Sequence, residues 1–194
     1  MLTKLRPAAR RLLEAPARLL VKAGLTADQV TLLGMLSSLL PVYFAYRGEP
    51  LLVAMFIGLS GLLDAIDGSV ARLTGTASKA GAFLDSTTDR LADALYYVSL
   101  IVLGLNPVLA SLAMGLALVT SYSKARSASL GLVEEEGIGL MERGDRIVAL
   151  MLVSALYAYK PLWGDYALAV LTILSLYTVA ERSIYYYRVL RSKA

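Results

Sequence analysis

Four aspartates stand where an otherwise apolar chain would be expected to hold none. Thirteen uncharged residues, 51–63, lead into Asp64 and Asp67, and the next apolar stretch opens with Asp85 and Asp89. A charged side chain inside a membrane segment is costly, so it needs a partner and usually has a function. Asp64 and Asp67 are spaced i, i+3, and Asp85 and Asp89 i, i+4, so each pair shares one face of a helix. Counted outward from the loop between the two stretches, the pairs lie at matching depths, roughly 6–12 Å in at 1.5 Å per residue. If both faces turn inward, four negative charges meet in a poorly solvated pocket, which is untenable without compensation. Arg72 and Arg90 are too few to neutralise four. Two divalent cations would suffice, and a two-metal clamp is a recurrent device for in-line displacement at phosphorus. A single such aspartate is more often a capping or hydrogen-bonded residue at a helix end; four at matched depth argue for a shared site. Asp93, one turn deeper, either extends the acidic face or anchors a basic residue.

The rest of the composition narrows the chemistry. The 194 residues include no Cys and no His. Thiolate nucleophiles, disulfides, imidazole bases and zinc–thiolate sites are therefore excluded. An all-oxygen ligand set suits Mg²⁺, Mn²⁺ or Ca²⁺ rather than zinc or copper. Hydrophobic residues make up 57% and charged residues 18%, against about 45–50% and about 25% in soluble domains.

These proportions call for membrane helices to position the acids. Residues 1–25 mix Lys4, Arg6, Arg10, Arg11, Arg18 and Lys22 with Leu2, Leu5, Leu12, Leu13, Leu19 and Leu20. No uninterrupted apolar run follows the basic start, so the segment is not a signal peptide. It is expected to be an amphipathic helix on an anionic membrane surface, with a solvated basic arm as the alternative. Thr26 with Gln29 three residues on forms a capping box, and residues 26–194 are expected to form one membrane domain. Six spans are expected, near 30–46, 51–72, 81–105, 107–126, 145–159 and 166–190, separated by turns such as Arg47-Gly-Glu-Pro50 and Asn106-Pro107. Their lengths bracket the ≈ 20 residues that cross a bilayer. The fold class is thus all-α and integral to the membrane, six transmembrane helices after an N-terminal surface helix. Of the 19 Lys and Arg, all but Arg47 and Lys160 then fall on one side. The positive-inside rule puts that side, both termini and the acidic site in the cytoplasm, and the protein in the cell membrane. The polar run Glu134–Glu136 is expected to be a solvated loop, and Gly58-x-x-Gly61 a helix-packing surface. Nothing calls for a nucleic-acid partner.

At this point a resemblance is evident. Asp64-x-x-Asp67-Gly68-x-x-Ala71-Arg72, eight residues, then Gly81-x-x-x-Asp85-x-x-x-Asp89 reproduces the CDP-alcohol phosphotransferase signature without a departure. A second stretch, Ser121-Tyr122-Ser123-Lys124-Ala125-Arg126 followed by Gly137 to Arg146 with its Glu142-Arg143-x-x-Arg146 core, is similar to phosphatidylinositol-phosphate synthases and their archaeal ether-lipid counterparts. Residues 24–31 also resemble that branch, with Ala27 where Pro is usual and Ser78 where Thr is common.

The resemblance implies a metal-dependent reaction of phospholipid biosynthesis. The phosphatidyl or archaetidyl group of a CDP-lipid passes to inositol 1-phosphate, and CMP is released. It implies two Mg²⁺ or Mn²⁺ ions on Asp64, Asp67, Asp85 and Asp89, with Asp89 also the general base. A carboxylate bound to a divalent cation is a weak base, so either Asp89 is the most loosely held of the four or the metal activates the hydroxyl. Asp28, Thr31, Gly68, Ala71, Arg72 and Ser78 would hold the cytidine and its phosphates. Lys124, Arg126, Arg143, Arg146 and Arg182 lie where a cationic cradle for the acceptor's phosphate belongs, and Arg suits bidentate phosphate contacts; ordinary positive-inside topology accounts for the same positions. A homodimer is expected from the family alone. Glycerol 3-phosphate or another alcohol is the alternative acceptor. A divalent-cation transporter is the rival from another class, because intramembrane carboxylates also mark ion pathways. Clustering of the acids near one end of their spans argues against it.

Overall fold

The computed structural model describes residues 6–132 and 138–192. Leu2, Lys4, Leu5, Glu134–Glu136, Gly137 and Lys193, all read above, lie outside the described residues, as do the side chains of Arg6, Arg10 and Arg11.

All regular structure among the described residues is helical: α1 (Arg6–Lys22), α2 (Ala27–Ser37), α3 (Leu39–Tyr46), α4 (Pro50–Thr74), α5 (Lys79–Leu103), α6 (Pro107–Ser129), α7 (Arg143–Tyr159) and α8 (Pro161–Ser192). Local chemistry sets their ends. Thr26 caps α2 through the expected box: its Oγ1 accepts from the Gln29 N–H at 3.3 Å, and its own N–H donates to Gln29 Oε1 at 2.9 Å. Pro50 and Pro107 sit in first turns, where a missing N–H costs nothing. Gly75 closes α4 in the left-handed region, at φ 67°. The expected first span is two helices rather than one, breaking at Ser38. Pro41 has no N–H to offer the Ser37 carbonyl, so the ladder cannot run through. Likewise α8 starts at Pro161 and not near Tyr166, because proline opens a helix as readily as it ends one.

Four helical stretches are long and apolar enough to cross a bilayer: 27–46, α4, α6 and α8. With 25 residues α5 has the length, but its first fifteen residues carry Asp85, Asp89, Arg90 and Asp93; α7 has 17 residues. Large apolar side chains such as Leu36, Met55, Leu112, Leu152 and Ile173 face outward, as a lipid environment allows.

The core is built around Tyr96, Tyr97, Leu100, Ile57, Val53, Leu150 and Leu168. Small residues bring the helices together there. A Cβ on Gly58 would lie 2.7 Å from Met151 Cε, and one on Gly61 2.9 Å from Ile147 Cδ1, so the Gly58-x-x-Gly61 face seats α7 against α4. A smaller cluster of Ala17, Val30, Ile66 and Val70, with Leu13 and Leu20 against it, attaches α1 to the loop end of α4. Direct packing between α4 and α5 is slight; α2 packs on both and α7 on α4, and arginines of α7 reach the acids of α5.

Candidate functional site

The loop-side ends of α4 and α5 bring three of the four aspartates together. One carboxylate oxygen from each of Asp64, Asp67 and Asp85 lies within 4.8 Å of the others. Helix α2 fixes this arrangement. Gly34 lets it approach α4 closely, since a Cβ there would stand 3.4 Å from the Asp64 nitrogen. Ser60 Oγ donates to the Gly34 carbonyl at 2.8 Å, and Tyr96 donates to Ser60 Oγ at 2.7 Å, tying α2, α4 and α5 into one chain of buried bonds. One turn before Gly34, Thr31 Oγ1 donates to Asp67 Oδ2 at 2.6 Å. The hydroxyl expected to touch nucleotide thus also orients a carboxylate.

The triad fits a divalent cation. Its donors are all oxygen, it is drawn from two helices, and Asp67 is buried while Asp64 and Asp85 are half-buried. Asp85 makes no side-chain hydrogen bond or ion pair among the described residues, and Thr31 engages only one oxygen of Asp67. Carboxylates this close and this shielded need a positive charge between them.

A cavity of about 210 Å³ opens beside the triad. All six residues expected to hold the CDP group line it: Asp28, Thr31, Gly68, Ala71, Arg72 and Ser78, with Asp67 and Asp85 at its acidic wall. Ser78 Oγ also caps α5 by accepting from the Gly81 N–H at 3.0 Å. A side chain on Gly81 would press on Ser78 Oγ and on Asp28 Oδ1, at 3.3 and 3.4 Å, so glycine keeps that wall open. Arg72 is exposed, with Nη2 donating to Ser69 Oγ at 2.9 Å. Ala27, Thr76, Ala77 and Ala82 complete the lining; as small loop and helix-end residues they carried no chemical signal in the sequence.

Asp89 does not join the triad. Arg90 Nη1 donates to its Oδ2 at 3.0 Å, and Arg143 Nη1 stands 2.8 Å from its Oδ1. Arg143 also donates from Nη1 to Asp64 and from Nε to Asp93 Oδ1 at 3.3 Å. The guanidinium at the start of α7 is therefore packed among three carboxylates. Beside it Arg146, buried, donates from Nη2 to Asp93 Oδ2 at 2.8 Å. Asp93 thus anchors basic residues, the second of its two expected roles.

These groups border a second cavity of about 260 Å³, lined by Asp89, Arg90, Thr120, Ser121, Lys124, Glu142, Arg143, Arg146 and Arg182. Four of the five expected cradle residues meet there. Arg126 does not: it is exposed and donates to Ser129 Oγ one turn on, because it points off the face of α6 that carries Thr120 and Lys124. Arg182 is buried and bridges elements, with Nε donating to the Ile138 carbonyl at 2.8 Å and Nη1 to the Thr120 carbonyl at 3.4 Å. Thr120, Glu142 and Arg90 had not been assigned to this site. Ser121 stood within the recognised basic run, but its spacing alone could not place it on the cavity wall.

Comparison with known proteins accords with this geometry. Residues 24–180 match the family model for CDP-alcohol phosphatidyltransferase. An archaetidylinositol phosphate synthase from Pyrococcus horikoshii is 37% identical over 173 residues, 89% of this chain and 90% of that one. A crystal structure of Mycobacterium tuberculosis phosphatidylinositol phosphate synthase with CDP-DAG bound superposes with a TM-score of 0.80 at 25% identity, covering 91% of this chain and 94% of that one. Another structure of that enzyme, in complex with manganese and citrate, has the same score and identity over 90% and 88%. The chain belongs to the CDP-alcohol phosphatidyltransferase family and is a membrane transferase of phospholipid biosynthesis.

Proposed function

We propose that this enzyme transfers the phosphatidyl- or archaetidyl-type group of a CDP-lipid to inositol 1-phosphate, giving a lipid inositol phosphate and CMP. The observation that carries the reading is the pair of cavities flanking one acidic cluster, the first lined by the signature residues and the second by Lys124, Arg143, Arg146 and Arg182. A diphosphate-linked donor suits the first, and a phosphorylated acceptor suits the second. The names of the relatives support the same pairing of substrates.

Asp64, Asp67 and Asp85 would hold a divalent cation, Mg²⁺ or Mn²⁺, and the manganese-bound relative supports that choice. When bound, such an ion neutralises charge on the diphosphate and the departing CMP and polarises the phosphorus. Among the chain's own groups, Arg72 offers a guanidinium to a phosphate oxygen, and Gly68 and Gly81 leave room for the nucleotide. Arg146 and Arg182 hold the acceptor's phosphate. Asp89, outside the triad and on the wall of the second cavity, takes the proton of the attacking hydroxyl. We place a second ion on the Asp64–Asp89 side. Six crossings by 27–46 and α4 to α8, with α1 at the membrane surface, both termini and the site in the cytoplasm, and a homodimer, complete the proposal.

Purified protein given Mg²⁺, CDP-lipid and inositol 1-phosphate should release CMP. Release with glycerol 3-phosphate but not with inositol phosphate would reject the acceptor and keep the reaction class.

A further inference from the structure

Arg143 holds the acidic cluster and the cationic cavity at once. Its Nη1 is shared by Asp64 and Asp89, its Nε is held by Asp93, and its Nη2 is buried without a hydrogen-bond partner. Asp64 is at the same time a member of the carboxylate triad. A guanidinium and a divalent cation cannot both neutralise Asp64 fully, because each draws on the same carboxylate. Arg143 also lines the second cavity, where Arg182 is tied instead to the Ile138 and Thr120 carbonyls, away from the triad. From this we infer that Arg143 is the internal counter-ion of the triad, released by cation binding to serve an anion in the second cavity, so that divalent cation and phosphate bind with positive coupling.

The inference rests on the proposed cation site and goes beyond it. It assigns Arg143 two alternative partners and makes the order of loading a property of one side chain. Binding linkage is reciprocal, so phosphate must raise cation affinity by the same factor as the cation raises phosphate affinity. The charge sets the sign. With no anion present, Arg143 competes with the cation, and removing it should tighten cation binding. A residue that only gripped phosphate would leave cation affinity unchanged.

The test is equilibrium binding to the purified full chain in detergent, with Mn²⁺ followed by electron paramagnetic resonance and inorganic phosphate by calorimetry. In the wild type, saturating Mn²⁺ should tighten phosphate binding by roughly 5- to 150-fold, the usual range of coupling between sites. Arg143→Gln should bind Mn²⁺ more tightly without phosphate and should lose the coupling. Arg143→Lys, which keeps the charge but not the fork, should retain part of it and guards against a fold defect. Arg182→Gln should weaken phosphate binding yet preserve the coupling factor. Equal phosphate affinity with and without Mn²⁺, or full coupling in Arg143→Gln, would overturn the inference while leaving the cation site intact. Failure of the wild type to bind Mn²⁺ would overturn both.

Discussion

The two cavities are built in opposite ways. The first is assembled from residues 27–85, and its acidic wall keeps Asp85 without any side-chain partner among the described residues. The second gathers residues from 89 to 182, and its arginines are already engaged by Asp64, Asp89, Asp93 and backbone carbonyls. An acidic wall with unspent charge favours a cation. A cationic wall that is internally paired binds an anion only by exchanging partners, which weakens the gain from each contact. Ligand strength on the first side should therefore depend on single carboxylates, and on the second side on a network.

Substitutions can break or sharpen that contrast. The largest effects belong to the acids. Asp85→Asn should abolish turnover and Mn²⁺ binding together, because nothing else on α5 replaces that oxygen. Asp89→Asn should lower kcat by roughly 100- to 10,000-fold, the usual worth of a general base, while Mn²⁺ still binds; a near-normal rate in a CMP-release assay would remove Asp89 from that role. Next comes Thr31→Val, which frees Asp67 from its orienting bond. Loss of such a supporting contact typically costs 10–100-fold in metal affinity, and Thr31→Ser, which keeps the hydroxyl, should recover most of it. If Thr31 touched only nucleotide, the CDP-lipid KM would move and Mn²⁺ affinity would not. On the second side, Arg182→Ala should raise the acceptor KM by about tenfold or more, as loss of a charged hydrogen bond of about 1.5–3 kcal/mol implies, and leave the CDP-lipid KM unchanged. Smallest of all, Arg126→Gln should alter either KM by less than about twofold, since surface changes away from a site are nearly neutral.

How much of this was legible in the sequence follows the same division. The acidic faces, the Thr26–Gln29 cap and the Gly58-x-x-Gly61 packing surface all depend on spacings of three or four residues, which helical periodicity makes readable. Much of the lining of the first cavity was legible because two short stretches, 24–31 and the signature from Asp64 to Asp89, carry it. Depth along the helices did not reveal what lies between them. The pairing of Arg143 with Asp64 and Asp89 was not legible, because Arg143 is 79 residues from Asp64 in sequence and nothing local marks a pairing at that separation. Thr31 had a second role that sequence could not show: it lines the first cavity as expected and also orients Asp67, because α2 approaches α4 closely at Gly34. The break at Ser38 was legible in principle from Pro41, but an apolar run long enough to cross the bilayer masked it.

The central claim is that Asp64, Asp67 and Asp85 jointly hold a divalent cation beside the CDP cavity. Crystals soaked with Mn²⁺ and measured at the manganese absorption edge test it most directly. An anomalous peak within coordination distance of all three carboxylates, with Arg143 withdrawn from Asp64, is the expected result; no peak between α4 and α5, with Arg143 still seated on Asp64, would contradict it.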